Sequence, residues 1–171
     1  FSRPITSRTE LREAVASYVV RAAEKLRQQR QRTAQLSVYT RTSPFVPAFY
    51  SRSASTSLDL PSNDTQTLLN AALPLVERIF QPHRQLAKAG VLMQHLQSTE
   101  LLQHHLLVPC SETDQEQRAA LMSTIDRLNR RYGHGTVRWA ACGLNPRWSM
   151  RRERLGRAAT TRLSDVPEVN A

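Results

Sequence analysis

The sequence predicts an α+β protein: a four-stranded sheet with two helices on one face, in the order β-α-β-β-α-β, followed by a small helix-strand C-terminal module. Three observations lead there. Two long stretches place apolar residues at helical spacing, near residues 9–30 and 62–80. Three others alternate with a period of two, near residues 33–42, 53–60 and 86–96. The 171 residues are 40% hydrophobic and 22% charged, which suits a packed core and excludes disorder throughout.

Residues Arg3 to Thr6 read as a short opening strand. Ser7 followed by Glu10 has the form of a capping box, and Leu11, Val15, Tyr18, Val19, Ala22 and Leu26 then recur on one side of a helix expected from Thr9 to Arg30. Its polar side carries Arg8, Arg12, Arg21, Lys25 and Arg27, a solvated face on the plainest reading. From Thr33 to Thr42, Ala34, Leu36, Val38 and Thr40 alternate with Gln35, Ser37, Tyr39 and Arg41. Ser43-Pro44-Phe45-Val46-Pro47 leads through Phe49 and Tyr50 to a second run, in which Ala54, Thr56, Leu58 and Leu60 alternate with Ser53, Ser55, Ser57 and Asp59. The two runs form an antiparallel pair.

A second helix begins near Ser62 to Asp64 and buries Leu68, Leu69, Ala72, Leu75, Val76, Ile79 and Phe80. Pro74 falls inside it, lacks a donor and crowds the carbonyl of Asn70, so a kink or break is expected. Leu86 to Leu96 returns to strand character, and the first domain closes near residue 98. Residues 99–114 read as a linker. A third helix follows from Gln115 to Arg131 with Ala119, Met122, Ile125 and Leu128 inside, then a turn at Tyr132-Gly133-His134-Gly135, then a short strand from Thr136 to Cys142. Together with an Arg-rich, irregular tail from Asn145, these form the module 115–171. Trp139 and Trp148 are expected to staple that module by burying apolar area; the alternative is stacking on bases or on a partner.

Charge narrows the function. The chain carries 24 Lys+Arg against 14 Asp+Glu, a formal net charge of +10, and only Lys25 and Lys88 of the basic residues are lysine. A guanidinium's planar fork suits phosphates and base edges, and self-repulsion of this size points to a polyanionic partner. One sheet face lacks a helical cover and is lined by Ser, Thr, Gln, Tyr, Arg and Lys, a surface suited to phosphates without reading one sequence. No apolar stretch approaches the roughly 18 to 20 residues of a membrane-spanning helix. No glycine pattern cradles a nucleotide's phosphates, and the acids are too scattered to hold catalytic metal ions. His95, His104, His105 and Cys110 lack the spacing of a zinc site. Two cysteines, Cys110 and Cys142, are too few for a disulfide framework and place the chain in the cytoplasm.

Several segments together resemble one family. Thr42-Ser43-Pro44-Phe45, Ala87-Lys88-Ala89-Gly90-Val91, Trp148-Ser149-Met150-Arg151-Arg152 and Thr160-Thr161-Arg162-Leu163-Ser164-Asp165-Val166-Pro167 are similar to the C-terminal part of UmuC-type Y-family DNA polymerases, across essentially the whole chain. The resemblance implies that residues 1–98 are the little finger, the DNA-binding domain that positions primer-template DNA during error-prone translesion synthesis. The context it implies is DNA repair after DNA damage, in the SOS response and SOS mutagenesis. The palm, with its carboxylates and Mg2+, would then lie before Phe1. This chain would be no enzyme by itself and would need no cofactor of its own.

By the same resemblance Arg3 and Thr6 approach template phosphates and Lys88 lies against the template strand. Ser37, Tyr39, Arg41, Ser53, Ser55 and Ser57 join them by strand parity. The linker would carry a sliding-clamp peptide of the form Q-L-x-L-F, degenerate here as Gln103-His104-His105-Leu106-Leu107; its other reading is an apolar linker packed on its own domain. A UmuD-type subunit and RecA are the further partners implied. The competing reading is an independent sheet-based RNA-binding protein, which would stack bases on paired aromatics, whereas the open face offers only Tyr39.

Overall fold

The computed structural model describes residues 1–46, 48–99, 112–149 and 166. Its elements are α1 (Arg8–Gln28), β1 (Gln31–Thr42), β2 (Ser51–Ser62), α2 (Thr65–Ile79), β3 (Leu86–Ser98), α3 (Glu112–Tyr132) and a 3-10 turn, Ala140–Cys142. The three strands form one antiparallel sheet in the order β2-β1-β3. The α+β class is as expected, but the sheet has three strands rather than four. In place of the opening strand, Ile5 makes a single antiparallel bridge to Leu86, with both backbone bonds at 2.8 and 2.9 Å. Pro4 has no N–H to extend the ladder, and α1 begins three residues beyond Ile5.

Period-two alternation sets the core. Leu36, Val38, Thr40 and Thr42 of β1 are buried, facing α1 and α2, and Leu86 and Ala89 of β3 share that side. Leu11, Ala14, Val15, Val19, Ala23 and Leu26 of α1 meet them, as do Leu68, Leu69, Ala72, Leu75, Val76 and Ile79 of α2. Ile5 is fully buried too, so the opening segment contributes to the core without forming a strand.

Three local expectations are corrected. Ser7 occupies the N-cap of α1 but makes no capping bond with its side chain, and the Glu10 carboxylate that would reach back to the Ser7 N–H is engaged by Arg3 instead. The helix α2 runs unbroken through Pro74; both Pro74 and Asn70 are exposed, so water can satisfy the carbonyl left without a donor. Asp64 caps that helix, its carboxylate accepting from the Thr67 backbone N–H at 2.8 Å. Finally, Thr136 to Cys142 is a turn rather than a strand. The Asn129 side chain clamps this segment back on α3, donating to the Val137 carbonyl at 3.1 Å and accepting from its N–H at 2.8 Å.

The C-terminal residues pack against the sheet domain. Trp148 is 8% exposed; its ring meets Tyr18 and Phe1 edge-on, with centroids 5.8 and 6.4 Å away. The staple therefore joins these residues to α1 and the opening segment instead of tightening a module of their own. Gly143 follows the 3-10 turn at φ +67°, and a Cβ there would lie 2.6 Å from the Glu13 carboxyl carbon. Arg27 is no part of a solvated face. Its guanidinium is mostly buried and donates to both Asp126 oxygens at 2.7 and 2.8 Å, to the Asn63 carbonyl at 2.7 Å and to Thr65 Oγ1 at 3.0 Å. One side chain thus ties α1, α2 and α3 together. In α3, Met122 is buried while Ala119, expected inside, is exposed.

Candidate nucleic-acid interface

The strand register builds the open face row by row. In antiparallel ladders directly opposed residues share a face, with neighbouring strands about 4.8 Å apart. Arg41 stands between Ser51 and Lys88, Tyr39 between Ser53 and Gly90, Ser37 between Ser55 and Leu92, and Gln35 between Ser57 and Gln94. Six of the residues singled out by parity and Lys88 are therefore brought together. Gln35, Ser51, Leu92 and Gln94 complete the surface, and the same parity points to them.

Charge is unevenly spread: exposed Asp59 of β2 lies beyond the four rows. Within residues 35–41, 51–57 and 88–94 there is no carboxylate. Glu10, Glu13, Glu24, Glu77, Glu112, Asp114, Glu116 and Asp126 all lie on helices. Arg41 and Lys88 face each other across the ladder, and no acidic partner is found for either among the described residues. Opposed like charges cost stability in a free sheet, a repulsion that a bound anion would relieve.

Each side chain of the face has a distinct condition. The Tyr39 ring lies across Gly90: a Cβ there would come within 2.5 Å of the phenol oxygen, so only glycine lets the ring lie flat. Nearby Tyr18 has its phenol pushed above the ordinary 10.0, chiefly by burial and secondarily by Tyr39. Ser37 is buried even though it faces outward, its hydroxyl bonded to Ser55 Oγ at 2.9 Å and donating to Gln94 Oε1 at 2.7 Å. Ser53, Ser55 and Ser57 stay exposed along the edge strand, and Lys88 is exposed beside Arg41.

The remaining named residues lie elsewhere. Arg3 is exposed and ion-paired with Glu10. Thr6 lines a shallow hollow with Arg8, Glu77, Phe80, Pro82 and His83, none of which belongs to the four rows. Glu77 in turn bridges Arg8 and Arg12 at 3.0 and 3.1 Å, locking α1 to α2. Gln103, His104, His105, Leu106 and Leu107 lie outside the described residues, as do Met150 to Asp165 of the tail motif. Among the described residues no three His, Cys, Asp or Glu side chains converge as metal ligands, and no helix is long and apolar enough to cross a membrane.

Residues 1–106 match the impB/mucB/samB family C-terminal domain, and residues 119–169 match a domain of unknown function, DUF4113. Protein UmuC of Salmonella typhimurium is 35% identical over 171 residues, 99% of this chain and 40% of that protein. Protein SamB of the same organism is 34% identical over 169 residues, and protein MucB of Escherichia coli 32% over 169, each covering 98% of this chain and 39% of the relative. The chain thus spans about two-fifths of the length of these relatives.

Proposed function

The chain belongs to the impB/mucB/samB family, whose C-terminal domain its residues 1–106 match, and from that premise we propose that it is the DNA-binding and partner-docking portion of an error-prone translesion DNA polymerase. The observation that carries this reading is the carboxylate-free row of Arg41 opposite Lys88, continued by Tyr39 and the serines of β2. The guanidinium and ammonium neutralise backbone phosphates; the hydroxyls donate to phosphate oxygens without naming a base. The face holds primer-template DNA by its backbone while catalysis, with its Mg2+ and clustered carboxylates, belongs to the polymerase's palm. A UmuD-type subunit, RecA and, through Gln103 to Leu107, the sliding clamp are the partners in this reading, and the cytoplasm during the SOS response is its setting. The sheet-based RNA reading gains nothing from the face, since its one aromatic, Tyr39, lies flat on Gly90.

The test is a titration of labelled primer-template DNA with the 171-residue chain between 50 and 200 mM salt. Log affinity should fall linearly with log salt, about 0.9 for each phosphate neutralised, with little dependence on base sequence. The chain should incorporate no nucleotide. Salt-insensitive binding, or preference for one sequence, refutes the phosphate role of the face.

A further inference from the structure

We propose that the tip of the β1–β2 hairpin is a second nucleic-acid site, which stacks the bases of a single-stranded DNA stretch on Phe45 and Phe49. Phe45 is 93% exposed and Phe49 55%, with Val46 at 41% between them. Three large apolar side chains between β1 and β2 are costly to leave in water unless something covers them. The base of the tip is pinned, so the rings are held out by structure. The Thr42 N–H donates to the Tyr50 carbonyl at 2.9 Å and the Tyr50 N–H to Thr42 Oγ1 at 2.9 Å. The Ser43 hydroxyl accepts from the Phe45 N–H at 3.3 Å. Tyr50 itself is engaged, with the Arg84 guanidinium 5.2 Å above its ring.

Charge selects the occupant. Arg41 and Arg52 flank the tip at the last rungs of the β1–β2 ladder, Arg84 stands at its base, and residues 33–58 contain no carboxylate. A ligand with negative charge and flat apolar faces fits these cations and rings together. Single-stranded DNA has both, whereas a duplex hides its base faces in its own stack. The site deepens the reading of the open face and rests on it: the Arg41 row adjoins the tip, so a duplex on the sheet would continue onto the tip as a single strand.

Binding is measured by fluorescence anisotropy for a single strand, a blunt duplex and a duplex with a single-stranded overhang. The proteins compared are the native chain, the Phe45→Ala/Phe49→Ala variant and the Phe45→Tyr/Phe49→Tyr variant. The alanine variant should weaken single-strand and overhang binding by about tenfold or more and leave blunt-duplex binding within about twofold, while the tyrosine variant retains native affinity. Photocrosslinking of an iodouracil-substituted strand should map to Phe45 or Phe49. Unchanged single-strand affinity, an equal loss for blunt duplex, or a loss shared by the tyrosine variant overturns the proposal. A Lys88→Gln chain reads the sheet separately: normal duplex binding there, with Phe-dependent single-strand binding intact, removes the sheet reading and keeps the tip.

Discussion

Replacing Lys88 by Gln removes one charge from the open face while keeping a polar side chain only one atom shorter, and the structure gives its two effects opposite signs. Lys88 is exposed, opposes Arg41 in the ladder and has no carboxylate near it on the face. If it neutralises one phosphate, its contribution to affinity falls as the inverse 0.9 power of salt concentration. The variant should then bind duplex DNA about 15-fold more weakly at 50 mM salt and only about fourfold more weakly at 200 mM. The free protein should meanwhile become slightly more stable, by a few tenths of a kcal/mol, because Arg41 loses a like charge directly opposite. Anisotropy titrations at the two salts and urea unfolding of the free chain read both effects. An affinity loss that stays constant between the two salts, or a loss of stability that accounts for the weaker binding, would refute the argument.

Three further outcomes are expected. Asp126→Ala leaves the mostly buried Arg27 guanidinium with only Asn63 and Thr65 as acceptors and should cost about 3 kcal/mol in urea unfolding, whereas Arg27→Met with Asp126→Leu should be nearly neutral. Trp148→Ala should cost about 3 to 5 kcal/mol and shift the tryptophan emission, since it empties the space beside Tyr18 and Phe1; an unchanged unfolding midpoint would count against the staple. Burial pushes the Cys142 thiol above the ordinary 9.0, against smaller opposing contributions from Ser17 and Arg138. Its folded pKa exceeds its unfolded one, so its contribution is complete below about 9 and lost as pH rises through the folded value. Stability measured from pH 8 to 11 should therefore decline less in Cys142→Ala than in the native chain.

The strands and the first two helices were legible because their period is local: between the register shifts near Thr33 and Thr42, alternate residues of the strands face the core and the open side in turn. The parity that found Leu36 and Val38 inside also found Tyr39 and Arg41 outside. What the sequence did not disclose depends on partners far along the chain. Arg27 looks like any other basic residue on a helix until Asp126, 99 positions later, is placed against it. Trp148 meets Tyr18 by the same kind of distant contact. Glu10 fits a capping pattern, yet a guanidinium seven residues earlier is the stronger partner. The opening strand failed for a local reason: with Pro4 removing a donor and α1 starting at Arg8, only Ile5 is left to pair.

The serines of β2 have a consequence for movement. Ser51, Ser53, Ser55 and Ser57 repeat the same short hydroxyl along one edge, about 6.7 Å from each to the next. A polymer strand displaced along that edge by one repeat would exchange a contact for its copy, so the energy profile along β2 is nearly level. Arg41 and Lys88, at one end, supply a single electrostatic stop. Such a surface grips without indexing: it resists lifting off while opposing translation very little, the mechanical behaviour of a rail with one brake.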